Sequence, residues 1–113
     1  MKLTLKEYNV TPIKQERNEL IIIVSEDGIK INNENINNNV QDKRNQLEEF
    51  IKNNNEEIIS ITKRKASNYK GGHQKMITIV YNGQKFLIIG NTPDAETQEL
   101  YEKVKETILS IIK

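Results

Sequence analysis

The chain contains no cysteine among its 113 residues. Disulfides, cysteine-ligated zinc, iron–sulfur clusters and thiol catalysis are thereby excluded. There is no tryptophan, and aromatic residues make up only 5% of the sequence, so the core has to be aliphatic. His73 is the one histidine. Alone it cannot supply the two or three nitrogen ligands of an ordinary zinc site, and neither a metal nor a cofactor is expected. No apolar run approaches the roughly 18–20 residues of a membrane span, so no membrane partner is expected. Met1–Val10 alternates apolar and polar residues without an apolar central stretch, unlike a signal peptide, and a cytoplasmic location follows as the expectation. Neither Gly-x-x-x-x-Gly-Lys-Ser/Thr nor Gly-x-Gly-x-x-Gly occurs, so no phosphate-binding fingerprint is present.

A further absence is of one charge sign. Between Glu57 and Asp94 there is no acidic residue, while Lys63, Arg64, Lys65, Lys70, Lys75 and Lys85 fall in that interval. The formal net charge of +1 therefore conceals a stretch of +6 against a remainder of −5. A one-signed stretch attracts partners of opposite sign where a balanced surface does not.

What is present reads as one domain. A chain of this size should bury roughly two-thirds of its unfolded surface, enough to fold without staples. Met1, Leu3 and Leu5 alternate with Lys2, Thr4 and Lys6, the period of a half-buried strand. Thr11-Pro12 interrupts it. Leu20–Val24 is a β-branched apolar run and predicts a buried strand. Ser25-Glu26-Asp27-Gly28 predicts a turn, with Ile29 and Ile31 starting the return.

Asn32–Asn39 is polar but for Ile36 and reads as a loop. Asn39 is placed to cap a helix whose stripe is Val40, Leu47, Phe50 and Ile51. Asn53-Asn54-Asn55 should end that helix. Ile58, Ile59 and Ile61 suggest a third strand. Lys75–Tyr81, Asn82-Gly83 and Gln84–Ile89 give a strong hairpin signal, because Asn-Gly accepts the two positive φ angles of a type I′ turn. Thr92-Pro93-Asp94 predicts a helix start with Thr92 as the cap. Leu100, Tyr101, Val104, Ile108, Ile111 and Ile112 form that helix's apolar stripe. The order β, ββ, α, β, ββ, α gives an α+β fold: an antiparallel sheet of about five or six strands with two helices.

Two candidate surfaces emerge. The first is the basic stretch Lys63–Lys75. Lys63, Arg64, Lys65, Lys70 and Lys75 could neutralise phosphates, Tyr69 could stack on a base, and His73 lies among them. The preferred reading is plainer: a solvated loop whose cations keep a sheet edge from pairing. The sequence pI of about 7.9 is below that of a usual nucleic-acid domain, and no nucleic-acid motif is present. The second surface comes from the hairpin register. Ile77, Ile79, Phe86 and Ile88 share one face, which should be core. Met76, Val80, Leu87 and Ile89 share the other, which is too apolar for plain exposure. Either helices divide between the two sides of the sheet, or another chain covers one side.

The acidic pairs Glu48/Glu49 and Glu56/Glu57 make no carboxylate dyad on a helix, since adjacent residues point about 100° apart. His73 as a general base would need an orienting carboxylate, and none is near in sequence. The sequence thus points to a small non-enzymatic protein-interaction module, of the accessory, inhibitor or immunity kind. Its expected partner is another protein or a second copy of itself. Binding of nucleic acid or another polyanion through Lys63–Lys75 is the alternative.

Overall fold

The computed structural model describes residues 1–9, 11, 13, 18–64 and 73–113. The opening alternation becomes strand β1 (Lys2–Asn9). The β-branched run becomes β2 (Leu20–Ser25), and a two-residue turn leads into β3 (Gly28–Ile31). Gly28 takes a φ of 129° at that corner, which L side chains rarely adopt.

Asn32–Asn39 is not wholly a loop. It contains a short strand, β4 (Glu34–Ile36). Asn32 and Asn33 have φ of 48° and 70°, so Asn-Asn makes the same kind of tight turn as Asn-Gly. Asn32 also exchanges two bonds with Ile21: its amide donates to the Ile21 carbonyl, and its Oδ1 accepts from the Ile21 amide, both at 2.8 Å.

Helix α1 (Val40–Asn53) follows, with Asn39 at the cap position but in the left-handed conformation and without a side-chain cap bond. Asn54 ends it. Its amide reaches the carbonyls of Phe50 and Ile51, and its Nδ2 donates to Phe50 O at 2.8 Å. The strand expected at Ile58, Ile59 and Ile61 is instead part of a further helix, α2 (Asn55–Arg64). The reason lies at Asn54, whose carbonyl accepts from the Ile58 amide at 3.1 Å. The residue that stops one helix starts the next. Glu56 and Glu57 then sit in the first turn, where the helix dipole favours acids. Ile58 and Ile61, three apart, share a helical face as readily as they fit a strand.

The hairpin forms as expected from β5 (His73–Tyr81) and β6 (Gln84–Ile89). Tyr81 pairs with Gln84, and Asn82 and Gly83 take φ of 52° and 74°. The last helix, α3 (Ala95–Ile112), starts two residues later than expected, with Asp94 at its cap and not Thr92. Thr97 Oγ1 donates to the Asp94 carboxylate, while Thr92 is buried and its Oγ1 accepts from the Asp94 amide at 3.4 Å.

The strands form one sheet, ordered β4-β3-β2-β1-β5-β6, and every neighbouring pair is antiparallel. With three helices among the described residues the class is α+β, one helix more than the sequence pattern suggested. Register places Leu3, Leu5, Ile22, Val24, Ile29, Ile77, Ile79, Phe86 and Ile88 on one face, none more than 4% exposed. Leu47 and Ile51 of α1, Ile58 and Ile61 of α2, and Leu100, Tyr101, Val104, Ile108 and Ile112 of α3 complete that core. All three helices therefore lie on one side of the sheet. No helix of the described residues is long and apolar enough to cross a membrane.

Both sheet edges are blunted, as exposed strand edges must be if they are not to recruit other chains. At one edge β4 is only 3 residues long. At the other, α2 runs beside β6. Thr62 Oγ1 accepts from the Leu87 amide and donates to the Leu87 carbonyl, both at 3.2 Å.

Candidate binding face

Among the described residues no helix covers the side of the sheet opposite the core. On it stand Lys2, Thr4, Lys6 and Tyr8 from β1, Ile21 and Ile23 from β2, and Lys30 from β3. β5 and β6 add Met76, Thr78, Val80, Lys85, Leu87 and Ile89. Met76 is 41% and Val80 38% exposed. Leu87 and Ile89 are half-buried, as are Ile21 and Ile23. The partly buried apolar residues that pack against the core are others, such as Leu20, Ile31 and Ile36.

Cross-strand register sets the pattern. Lys6 lies between Ile21 and Met76, and Met76 pairs in turn with Ile89. Val80 lies between Lys2 and Lys85, and Ile23 pairs with Lys30. No strand position on this face carries Asp or Glu. Of the carboxylates nearest in sequence to β2, Glu19 stands before it, while Glu26 and Asp27, in the turn after it, line a cavity at one end of the face together with Lys2, Ile23, Lys30 and Val80. Lys2, Lys6, Lys30 and Lys85 are exposed, and none is ion-paired to a described residue. Lys6 Nζ lies 5.3 Å from the Tyr8 ring centroid, a cation–π contact.

The basic stretch fares differently. Lys63 is exposed in the last turn of α2, and Arg64 is that helix's final residue. Lys65, Tyr69 and Lys70 lie outside the described residues. His73 and Lys75 point to the helix side of β5, where carboxylates meet them. Lys75 Nζ is 3.5 Å from Glu102 Oε1, and His73 Nε2 is 3.8 Å from Glu7 Oε1. The structure thus separates these two from Met76, Val80, Leu87 and Ile89, which it does bring together.

Glu7 is the residue sequence reasoning missed. It is buried on the core face, in line with Leu3 and Leu5. Its Oε2 accepts from the Tyr101 hydroxyl at 2.6 Å, and its Oε1 from Lys105 Nζ at 2.9 Å. Burial works to raise the Glu7 pKa. The Tyr101 hydroxyl, the Lys105 ammonium and the charge of Lys75 outweigh it, so the pKa lies below the ordinary glutamate value. Burial pushes the Tyr101 phenol well up, and the Glu7 carboxylate beside it adds to the rise. His73 Nδ1 donates to Asn9 Oδ1 at 2.7 Å. Gly90 makes room for the ring: a Cβ there would lie 2.6 Å from Tyr101 Cδ1.

A carboxylate therefore does lie beside His73, and its two oxygens also accept from Tyr101 and Lys105, which ties β1 to α3. Among the described residues there is no cluster of three or more His, Cys, Asp or Glu side chains that could hold a metal. No protein-family model, curated protein or solved structure matches this chain.

Proposed function

We propose that this chain is a protein-binding module that works through the open face of its sheet. One observation carries the reading. All the described helices lie on one side, while on the other Met76, Val80, Leu87 and Ile89 of the β5–β6 hairpin form one apolar cluster, with Ile21 and Ile23 across β1 from it. Single exposed apolar residues are ordinary, but a contiguous patch on a sheet is a place where something docks. Both edges are blunted, so the ligand lies across the face and does not add a strand. A sheet that binds single-stranded nucleic acid offers several aromatic rings for bases to stack on. Among the described residues of the face Tyr8 is the one aromatic side chain, the others being mainly aliphatic, lysine or threonine, which favours a protein ligand.

The test is selection of ligands from a random-peptide display library, followed by amide chemical-shift mapping of the purified binders. The expected result is shifts concentrated at the outward residues of β1, β2, β5 and β6, and loss of binding in Leu87→Glu. Binders that map to the helix layer, or a selection that yields none, would overturn the reading.

A further inference from the structure

Resting on that reading, we infer that the partner is acidic: a protein segment whose apolar anchors are flanked by Asp or Glu. The apolar side chains of the face do not stand alone. Lys6 is the cross-strand neighbour of both Ile21 and Met76, and Val80 has Lys2 on one side and Lys85 on the other. Anything that covers the apolar surface therefore comes up against ammonium groups, which it either pairs, buries or displaces toward water. Removing a charge from water without a counter-charge is costly. A neutral apolar partner would meet that penalty at each lysine it buries. A partner carrying carboxylates would offset it and gain charge-assisted hydrogen bonds.

The lysines are available for this role. No described residue forms an ion pair with them, and no strand position on the face carries an acid. By contrast Lys75, Lys103 and Lys105, on the helix side, are each ion-paired within the chain. The face's unspent charge also argues against a second copy of this chain as the occupant. Face-to-face pairing would set lysines against lysines across an apolar layer, and like-charge juxtaposition disfavours that complex.

The decisive experiment uses the full chain and the display-selected peptides that map to the open face. Their sequences should be enriched in Asp and Glu over the unselected library. Their affinity should fall by about tenfold or more from low to high salt, as expected where exposed charges contribute. The paired reversal Lys6→Glu with Lys85→Glu should weaken them to a similar degree or more, with the circular dichroism spectrum and melting temperature retained. Face-binding peptides that are neutral or basic, and indifferent to salt, would overturn the acidic partner while leaving the binding module standing. Peptides that map elsewhere would end both. Two comparisons guard the choice of partner. Tighter binding of phosphatidylserine vesicles or of oligo(U) to the same face would overturn the inference in favour of a membrane surface or a nucleic acid. A concentration-dependent dimer in light scattering that protects Met76 and Leu87 from exchange would overturn it in favour of a second copy.

Discussion

The Tyr101 hydroxyl donates to Glu7 Oε2 at 2.6 Å, joining residues 94 positions apart. The bond ties the middle of α3 to β1 at the end of the core where the sheet's apolar register gives way to polar residues. A carboxylate in line with Leu3 and Leu5 would be costly without donors. With Tyr101 on one oxygen and Lys105 on the other it becomes a fixed point of the fold.

Replacing Tyr101 by Phe keeps the ring and removes the donor. The buried oxygen then lacks a partner, and an unsatisfied group of this kind costs about 1–3 kcal/mol. Urea unfolding of Tyr101→Phe should show that loss with an unchanged m value. A variant as stable as the parent would show that the bond contributes nothing.

The same carboxylate gives stability a pH dependence of known sign. Its pKa is lower in the folded state than the ordinary 4.5. Folding is therefore favoured by its ionised form, fully so above the unfolded pKa, and that contribution is lost as pH falls through the folded pKa. The stability difference between the parent and Glu7→Gln should be constant near neutral pH and shrink steadily on acidification below about pH 5. A difference that grows on acidification would reverse the assignment.

Gly90→Ala tests the packing under that tyrosine. A Cβ at position 90 would sit 2.6–2.8 Å from three ring atoms of Tyr101. Overpacking of this kind costs roughly 1–3 kcal/mol. In a Tyr101→Leu background the same substitution should cost less, since contacting residues couple. Thermal unfolding of the four-member cycle reads this directly; additive costs would mean the ring is not the obstacle.

Neighbouring positions on β5 should respond in opposite ways. Ile77 is fully buried in the core, and Ile77→Ala should cost about 2–5 kcal/mol. Met76 faces the open side, and Met76→Ser should stay within about 0.5 kcal/mol, as surface substitutions do. Equal losses at the two sites would mean that the second face is covered in solution.

Thr62→Val removes the hydroxyl that accepts from the Leu87 amide and donates to its carbonyl. Hydrogen exchange at Leu87 should quicken, and the variant should associate more readily at high concentration because the β6 edge is uncovered. Unchanged exchange there would show that the hydroxyl does not guard the edge.

Much of the fold was legible in local sequence. Period-two alternation marked β1, the β-branched run marked β2, and Asn82-Gly83 set a hairpin whose inward and outward residues fell on the expected sides. Two misreadings share one cause, the versatility of asparagine. Asn32-Asn33 turned where a loop was expected, and Asn54 restarted a helix where a strand was expected. Asn tolerates positive φ and bonds to nearby backbone, so its runs are compatible with turns, caps and loops alike. Of the candidate surfaces, Met76, Val80, Leu87 and Ile89 were legible because a two-residue turn dictates register. Glu7 left a trace that was not used: an acid on the apolar parity of an amphipathic strand.

What the sequence by itself determined is which residues alternate, where the chain turns and which side chains share a face. These depend on backbone geometry over a few residues. What only the tertiary structure decided is which face the helices cover, and which distant groups meet. A sheet apolar on both sides can satisfy an amphipathic helix on either. Packing of the whole chain placed the three described helices on the side of Ile77 and Ile88, left Met76 and Leu87 on the other side among lysines, and brought Tyr101 onto Glu7. No local pattern encodes that choice, because its energy arises only when elements far apart in sequence are assembled.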